Sequence, residues 1–328
     1  MAHSRKLITF VFLFCSCEFL YASSLNDSKE VPKVIIDTDA GGDDAMALLL
    51  AIKTKKLDIV AITCTYGNTD LKNVELNVLK TLTIANRTDI PVYAGAKGPL
   101  LKNYTASDYF GKDGFGDFEF KHEIKITVDR SKHASLVMID LVRRHPGVIN
   151  VVTLGPLTNV ALAISMDPNF VKNVKKFYTM GATLNDFEPE PEFNFQLDPE
   201  SDQIFLSSLE DQKCLISPWD MNNTISKKWR IDTLGNLSSK EMQFLNKVED
   251  YELSHAKVWF PADSIAISTL IWPELVTLKN EIHMTAITCS SSEGKVKFDD
   301  DSTDKNVEIV SKFDIEKFKS LLLRNFES

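Results

Sequence analysis

Four aspartates, Asp37, Asp39, Asp43 and Asp44, crowd into the stretch VIIDTDAGGDDAMALLLA at 34–51. Carboxylates this close repel one another, and helix capping, protonation or a cation must offset that repulsion. The apolar residues before them read as a buried strand and those after as a buried helix. Capping accounts for Asp43 and Asp44 at the helix start, at roughly 0.5–2 kcal/mol per cap. It leaves Asp37 and Asp39, at the end of the strand, unexplained. A hard cation such as Ca²⁺ takes several carboxylates together with carbonyls and waters, so strand-end and helix-start acids can converge on it across a glycine turn. An Asp-x-Asp phosphotransfer site, which also follows an apolar strand, is the rival reading.

The elements that must position these acids alternate along the chain. Strand-like runs at 33–37, 57–65, DIPVYAG, GVINVVTLG, VKKFYTMGA and KCLISP are separated by helical patterns at 43–53, 71–86, 133–144, from PLTNVALAIS onward, and at 199–209. Helices between near-continuous apolar strands predict a mainly parallel sheet covered on both faces. The irregular stretches 98–120 and 181–197 follow strand ends, where an open α/β sheet builds its site. After Ser290 the acidic FDDDSTD reads as a surface loop before a last strand and helix.

The chain has 328 residues, 44% hydrophobic and 25% charged, enough for a large core. Its net charge of −9 argues against a nucleic-acid partner. Arg5 and Lys6 precede an apolar run at 7–17 too short to span a bilayer, followed by small residues at 22–24. Residues 1–24 therefore read as a secretory signal rather than an anchor, with 25–328 as one domain and an extracellular product. No membrane partner is expected after signal removal. Secretion gives meaning to five Asn-x-Ser/Thr sequons, at Asn26, Asn86, Asn103, Asn222 and Asn236. Outside the signal only Cys64, Cys214 and Cys289 remain. They show no metal-ligand spacing, and Cys64 reads as a buried thiol.

The motif DTDAGGDDAMALLLA, followed in order by TYGN at 65–68, TLGPLTNVALA at 153–163, MGA…EFNFQLDPESD at 180–202 and PADSIAIS at 261–268, resembles the inosine-uridine preferring nucleoside hydrolase family. The resemblance runs from about residue 33 to 325 and is carried by the joint occurrence of the motifs. It implies a single Rossmann-like α/β domain, and more narrowly a secreted animal enzyme of purine type. By resemblance, Asp39, Asp44, Asp263 and the carbonyl of Leu154 hold Ca²⁺. Asp39 is also the general base that activates water for attack on the anomeric carbon. Asp43, Asn68, Met180, Asn185, Glu192 and Asn194 match the contacts to the ribose and its base side. The reaction is N-glycosidic hydrolysis through an oxocarbenium-like ribosyl cation, and relatives are commonly homodimers or homotetramers. Asp37 reads as structural, perched on backbone hydrogen bonds beneath the site, and Thr158 and Asn159 as braces for the helix after Gly155.

The pattern departs from the family at three places. Ala40 stands where proline is usual. Ala262 stands where a histidine would protonate the leaving base or a tryptophan would stack on it. Phe110 stands where many relatives place a histidine. Tyr104, Tyr109, Phe110, Phe115, Phe187 and Trp259 are then candidates for a stacking pocket, and His255 for an acid. Stacking without a placed acid favours purines. The alternative is a degenerate relative that binds nucleosides without turning them over.

Overall fold

A computed structural model describes residues 31–184, 190–211, 213–222, 225–299 and 301–327. Nine strands form one sheet among these residues: β1 (Lys33–Thr38), β2 (Asp58–Cys64), β3 (Val92–Ala94), β4 (Ile149–Thr153), β5 (Phe177–Met180), β6 (Cys214–Ser217), β7 (Val276–Ala286), β8 (Val296–Asp299) and β9 (Val307–Phe313). The helices are α1 (Gly42–Lys53), α2 (Leu71–Ala85), α3 (Ala134–Arg144), α4 (Thr158–Met166), α5 (Phe170–Asn173), α6 (Phe193–Leu197) and α7 (Pro199–Ser208). They continue with α8 (Lys227–Trp229), α9 (Lys240–Val248), α10 (Asp250–His255), α11 (Ala262–Ile271) and α12 (Ile315–Phe326). None is long and apolar enough to cross a membrane.

The strand order is β3-β2-β1-β4-β5-β6-β9-β7-β8, parallel from β3 through β9. Only β7, which pairs antiparallel with β9 and β8, breaks the pattern at one edge. The expected parallel sheet is therefore present, and the last strand and helix fall at β9 and α12. Side chains of β1 alternate between the two cores, Val34 and Ile36 on one face and Ile35 on the other. Burial on both faces is why these strands are apolar throughout.

Helix α1 is apolar almost all round because it is enclosed by α2, α9, α11 and α12, with Ala45 through Ile52 all buried. Helix α2 is closed by Asp70, whose side chain accepts the Asn73 amide at 2.9 Å, and by Asn86 in the left-handed conformation. The irregular 181–197 stretch contains α6, which the sequence pattern did not predict.

From β1 the chain builds outward through β2 and β3, then returns to the other side of β1 with β4. The loops leaving β1 and β4 consequently diverge and open a crevice at their carboxyl ends. Asp39 follows β1 directly and Leu154 follows β4, joined by the Leu154 amide donating to the Asp37 carbonyl at 2.8 Å.

Candidate active site

Thr38 ends β1 and organises the turn that follows. Its hydroxyl donates to Asp44 Oδ1 and accepts the Ala40 amide at 3.1 Å. The other oxygen of Asp44 accepts the Gly41 amide at 2.8 Å, so Asp44 caps α1 while facing the turn. Ala40 has a φ of +35°. A proline ring cannot take that value and would also lack the amide that Thr38 accepts, which explains the departure at this position.

Carboxylate oxygens of Asp43, Asp44 and Asp263 lie within 4.8 Å of one another. Asp263 arrives from a distant part of the chain as the second residue of α11, a helix packed directly on α1. Asp44 also interacts electrostatically with both Asp263 and Asp39. Asp39 is 1% exposed, and its Oδ2 accepts the Asn68 amide at 2.7 Å. Its Oδ1 is buried with no hydrogen-bond partner. Burial, followed by the charge of Asp44, holds the Asp39 and Asp43 carboxyls well above the usual range. Asp263 is raised by burial and then by Asp43, Asp44 and Asp39, and burial raises Asp44 too.

These residues fit a hard divalent cation. The donors are all anionic oxygens, and one of them, Asp39 Oδ1, is desolvated without compensation, a costly state unless a cation neutralises it. Two glycines leave Asp39 its space. A Cβ at Gly67 would stand 2.0 Å from Asp39 Oδ2, and one at Gly155 would stand 2.8 Å from Oδ1.

Above this floor lies a cavity of about 260 Å³ lined by Asp43, Asn68, Leu154, Met180, Glu192, Asn194 and Asp263 among others. The structure thus brings these sequence-predicted residues to one place, with Asp39 and Asp44 behind them. Asn194 Nδ2 donates to the Leu154 carbonyl at 2.8 Å and approaches Met180 Sδ at 3.3 Å. Glu192 caps α6, its Oε1 accepting the Asn194 amide at 3.0 Å and its Oε2 the Ala182 and Phe195 amides at 3.1 Å. Burial nevertheless pushes its carboxyl up to about 7. Asn185 and Phe187 lie outside the described residues.

Several expectations are corrected. Asp37 is buried as a structural group, but it accepts from side chains, Thr63 Oγ1 at 2.6 Å and Asn159 Nδ2 at 2.9 Å, rather than from the backbone. Phe115 and Trp259 are core residues, 0% and 1% exposed, and do not line the cavity. Trp259 is covered by Arg230 instead. Tyr104 packs edge-on against Tyr66 and donates to the Gly67 carbonyl at 2.7 Å. His255 is exposed at the end of α10, bonded within its own turn. Thr158 and Asn159, by contrast, are braces as the sequence suggests: Thr158 donates to Asp198 Oδ2 at 2.6 Å and Asn159 ties Asp37 to the Cys64 carbonyl.

Of the aromatic candidates, Tyr109 and Phe110 do line the cavity, joined by Phe193, Trp219 and Phe260. Trp219 and Phe260 stack with centroids 4.7 Å apart at 36°. Sequence reading missed this pair. The available signals were the position of Trp219 just past the end of β6 and that of Phe260 beside the late aspartate motif.

A pocket bounded by acids on one side and aromatic rings on the other, at the switch point of a parallel sheet, suits a ligand with a polyol end and a planar end. A sequence profile of the inosine-uridine preferring nucleoside hydrolases matches residues 34–320. The chain is 31% identical over 271 residues to a probable uridine nucleosidase 1 of Oryza sativa subsp. japonica, covering 78% of this chain and 82% of the relative. Among solved structures, a plant nucleoside hydrolase superposes with a TM-score of 0.83 at 28% identity, covering 91% of this chain and 99% of that one. An inosine-guanosine nucleoside hydrolase gives 0.82 at 27% identity, covering 90% and 98%. The chain belongs to the inosine-uridine preferring nucleoside hydrolase family and is a hydrolase acting on the N-glycosyl bonds of ribonucleosides.

Proposed function

We propose that the chain is a secreted, calcium-dependent ribonucleoside hydrolase that prefers purine nucleosides and releases free base and ribose. The observation that carries the calcium assignment is the cluster of Asp43, Asp44 and Asp263 oxygens within 4.8 Å of one another, with Asp44 also interacting with Asp39, whose buried Oδ1 has no partner. Asp39, Asp44, Asp263 and the Leu154 carbonyl would hold the ion. When bound, Ca²⁺ would neutralise the crowded acids, orient the sugar diol and acidify a water.

The chain's own residues supply the rest. Asp39 takes the proton of the attacking water, and its position is held by the Asn68 amide and the close glycines. Asp43, Asn68, Glu192 and Asn194 present oxygens and an amide to the ribose hydroxyls, and the Met180 thioether lies under the ring. Their negative and dipolar character matches the positive charge that develops on the sugar. Trp219, Phe260, Tyr109 and Phe110 form the base side. Large flat rings suit the larger purine surface, although the rice relative is named a uridine nucleosidase and the solved relative an inosine-guanosine hydrolase. Secretion is supported by the basic-then-apolar N-terminus and by exposure of the sequon residues Asn86, Asn103 and Asn236.

A panel of inosine, guanosine, adenosine, uridine and cytidine, monitored for released ribose with and without chelator, tests the reading. Purines cleaved faster than pyrimidines, with loss on chelation, are the expected result. Equal rates for uridine and inosine would remove the purine preference, and chelator-insensitive release would remove the metal. Expression in a secretory eukaryotic host, with recovery from the medium and a mass shift on deglycosylation, tests the localisation.

A further inference from the structure

Ala262 leaves the nucleobase without the acid that the sequence pattern would place there, yet a buried acid does reach the cavity by another route. Tyr109 lines the base side, 40% exposed, and its hydroxyl lies 3.2 Å from Glu252 Oε1. Glu252, on α10, is only 2% exposed. Its neighbour Glu249 is already committed: Arg230 Nε donates to Glu249 Oε2 at 2.7 Å, with both side chains buried. Arg230 is turned away toward that pair and toward Asn246, which its Nη1 contacts at 2.8 Å. Glu252 thus stands as a second buried acid beside the Arg230–Glu249 ion pair, with the hydroxyl of a cavity-lining tyrosine against it.

We infer that Tyr109 protonates the departing nucleobase, drawing its proton from the Glu252 carboxyl behind it. The step rests on the nucleoside placement proposed above. As the C1′–N bond breaks, its electron pair goes to the base. The base takes the Tyr109 hydroxyl proton while Tyr109 takes the proton of Glu252, leaving a Glu252 carboxylate. On the opposite side the water oxygen bonds to C1′ and one water proton goes to Asp39. Solvent then returns a proton to Glu252 and removes one from Asp39, which restores the enzyme.

Electrostatics keep Glu252 loaded. Burial pushes its carboxyl well above the usual range, the charges of Glu249 and then Asp43 push it further, and Tyr109 and Arg230 oppose the shift more weakly. Burial and Glu252 together also hold the Tyr109 phenol above its ordinary value, so it keeps its proton until Glu252 supplies another. An O···O distance of 3.2 Å is long for a hydroxyl bond, and resting sites commonly hold such contacts loosely.

Leaving-group dependence tests the relay. Tyr109→Phe removes only a hydroxyl at a partly exposed position, and Glu252→Gln keeps shape but deletes the transferable proton. Each should lower kcat/KM for inosine by about 10²-fold. Hydrolysis of 4-nitrophenyl β-ribofuranoside, whose phenolate leaves unaided, should stay within about 3-fold. The fall in inosine hydrolysis at alkaline pH should disappear in Glu252→Gln. Equal losses on both substrates would reduce the pair to packing and overturn the relay, as would an unchanged inosine rate. Failure of the metal and base assignment is distinguishable, because it shows in Asp39→Asn retaining activity on both substrates.

Discussion

The floor of the cavity hangs from strand ends, whereas its base-side wall hangs from an irregular loop and helix joints. Asp39 and Leu154 leave neighbouring parallel strands, and Asp44 and Asp263 start two buried helices that pack together. Tyr109 and Phe110 sit in a stretch without regular structure, Trp219 opens a short 3-10 turn (Trp219–Asn222), and Phe260 lies between α10 and α11. The first construction fixes distances between charges, which chemistry on the ribose requires. The second sets shape and stacking, which can vary without disturbing the reaction. Catalysis and base selectivity should therefore be separable by mutation.

The largest effect is expected on the floor. Asp39→Asn keeps the shape but deletes the base, so kcat should fall by roughly 10²–10⁴-fold with KM little changed. Steady-state kinetics on inosine measure the split, and a rise in KM alone would make Asp39 a binding residue. Gly67→Ala should come next, because its Cβ would meet Asp39 Oδ2 at 2.0 Å. Displacing the carboxylate by that contact should cost about 10²-fold in kcat. Its melting temperature should drop by much less than a core substitution produces.

The wall should respond in selectivity instead. Trp219→Ala should narrow the inosine-to-uridine ratio of kcat/KM by about 10-fold, the equivalent of losing one aromatic stack of roughly 0.5–1.5 kcal/mol. Trp259→Ala is the contrast, since it empties a core position beside Arg230. Denaturant unfolding should show it destabilised by about 3–5 kcal/mol, with the ratio unchanged among molecules that fold. A selectivity change in Trp259→Ala and none in Trp219→Ala would reverse the assignment of the wall.

The smallest effect concerns pH without metal. Burial raises the Asp37 carboxyl from 3.8 to about 7, so the native state holds its proton where the unfolded chain has released it. Its contribution is complete below the unfolded value and is lost as pH rises through about 7. Chelated protein should melt lower at pH 8 than at pH 5.5. Added Ca²⁺ should raise the melting temperature more at pH 8, because its carboxylate ligands must be ionised to bind. Calorimetry at the two values checks both signs.

The same contrast explains what could be read from sequence. Acids at strand ends were legible because their spacing has no comfortable alternative, and the alternation of apolar strands with helices gave the sheet. Asp263 was legible only through the motif around it, since nothing local tells that α11 packs on α1. The wall was harder because an aromatic residue serves core and pocket equally well. Trp259 and Phe260 are adjacent, yet the first packs under Arg230 and the second faces the cavity. No periodicity governs them, because they precede α11 in an irregular segment. Tyr109 was legible as an aromatic. Its partnership with Glu252 was not, because the two lie far apart in the chain and meet only in the fold.

Ribose release from inosine after exhaustive chelation, followed by addition of Ca²⁺, tests the central claim most directly. The account predicts that release stops without metal and returns on addition of Ca²⁺ to the wild-type chain, but not to Asp44→Ala. Undiminished release by metal-free protein would contradict it.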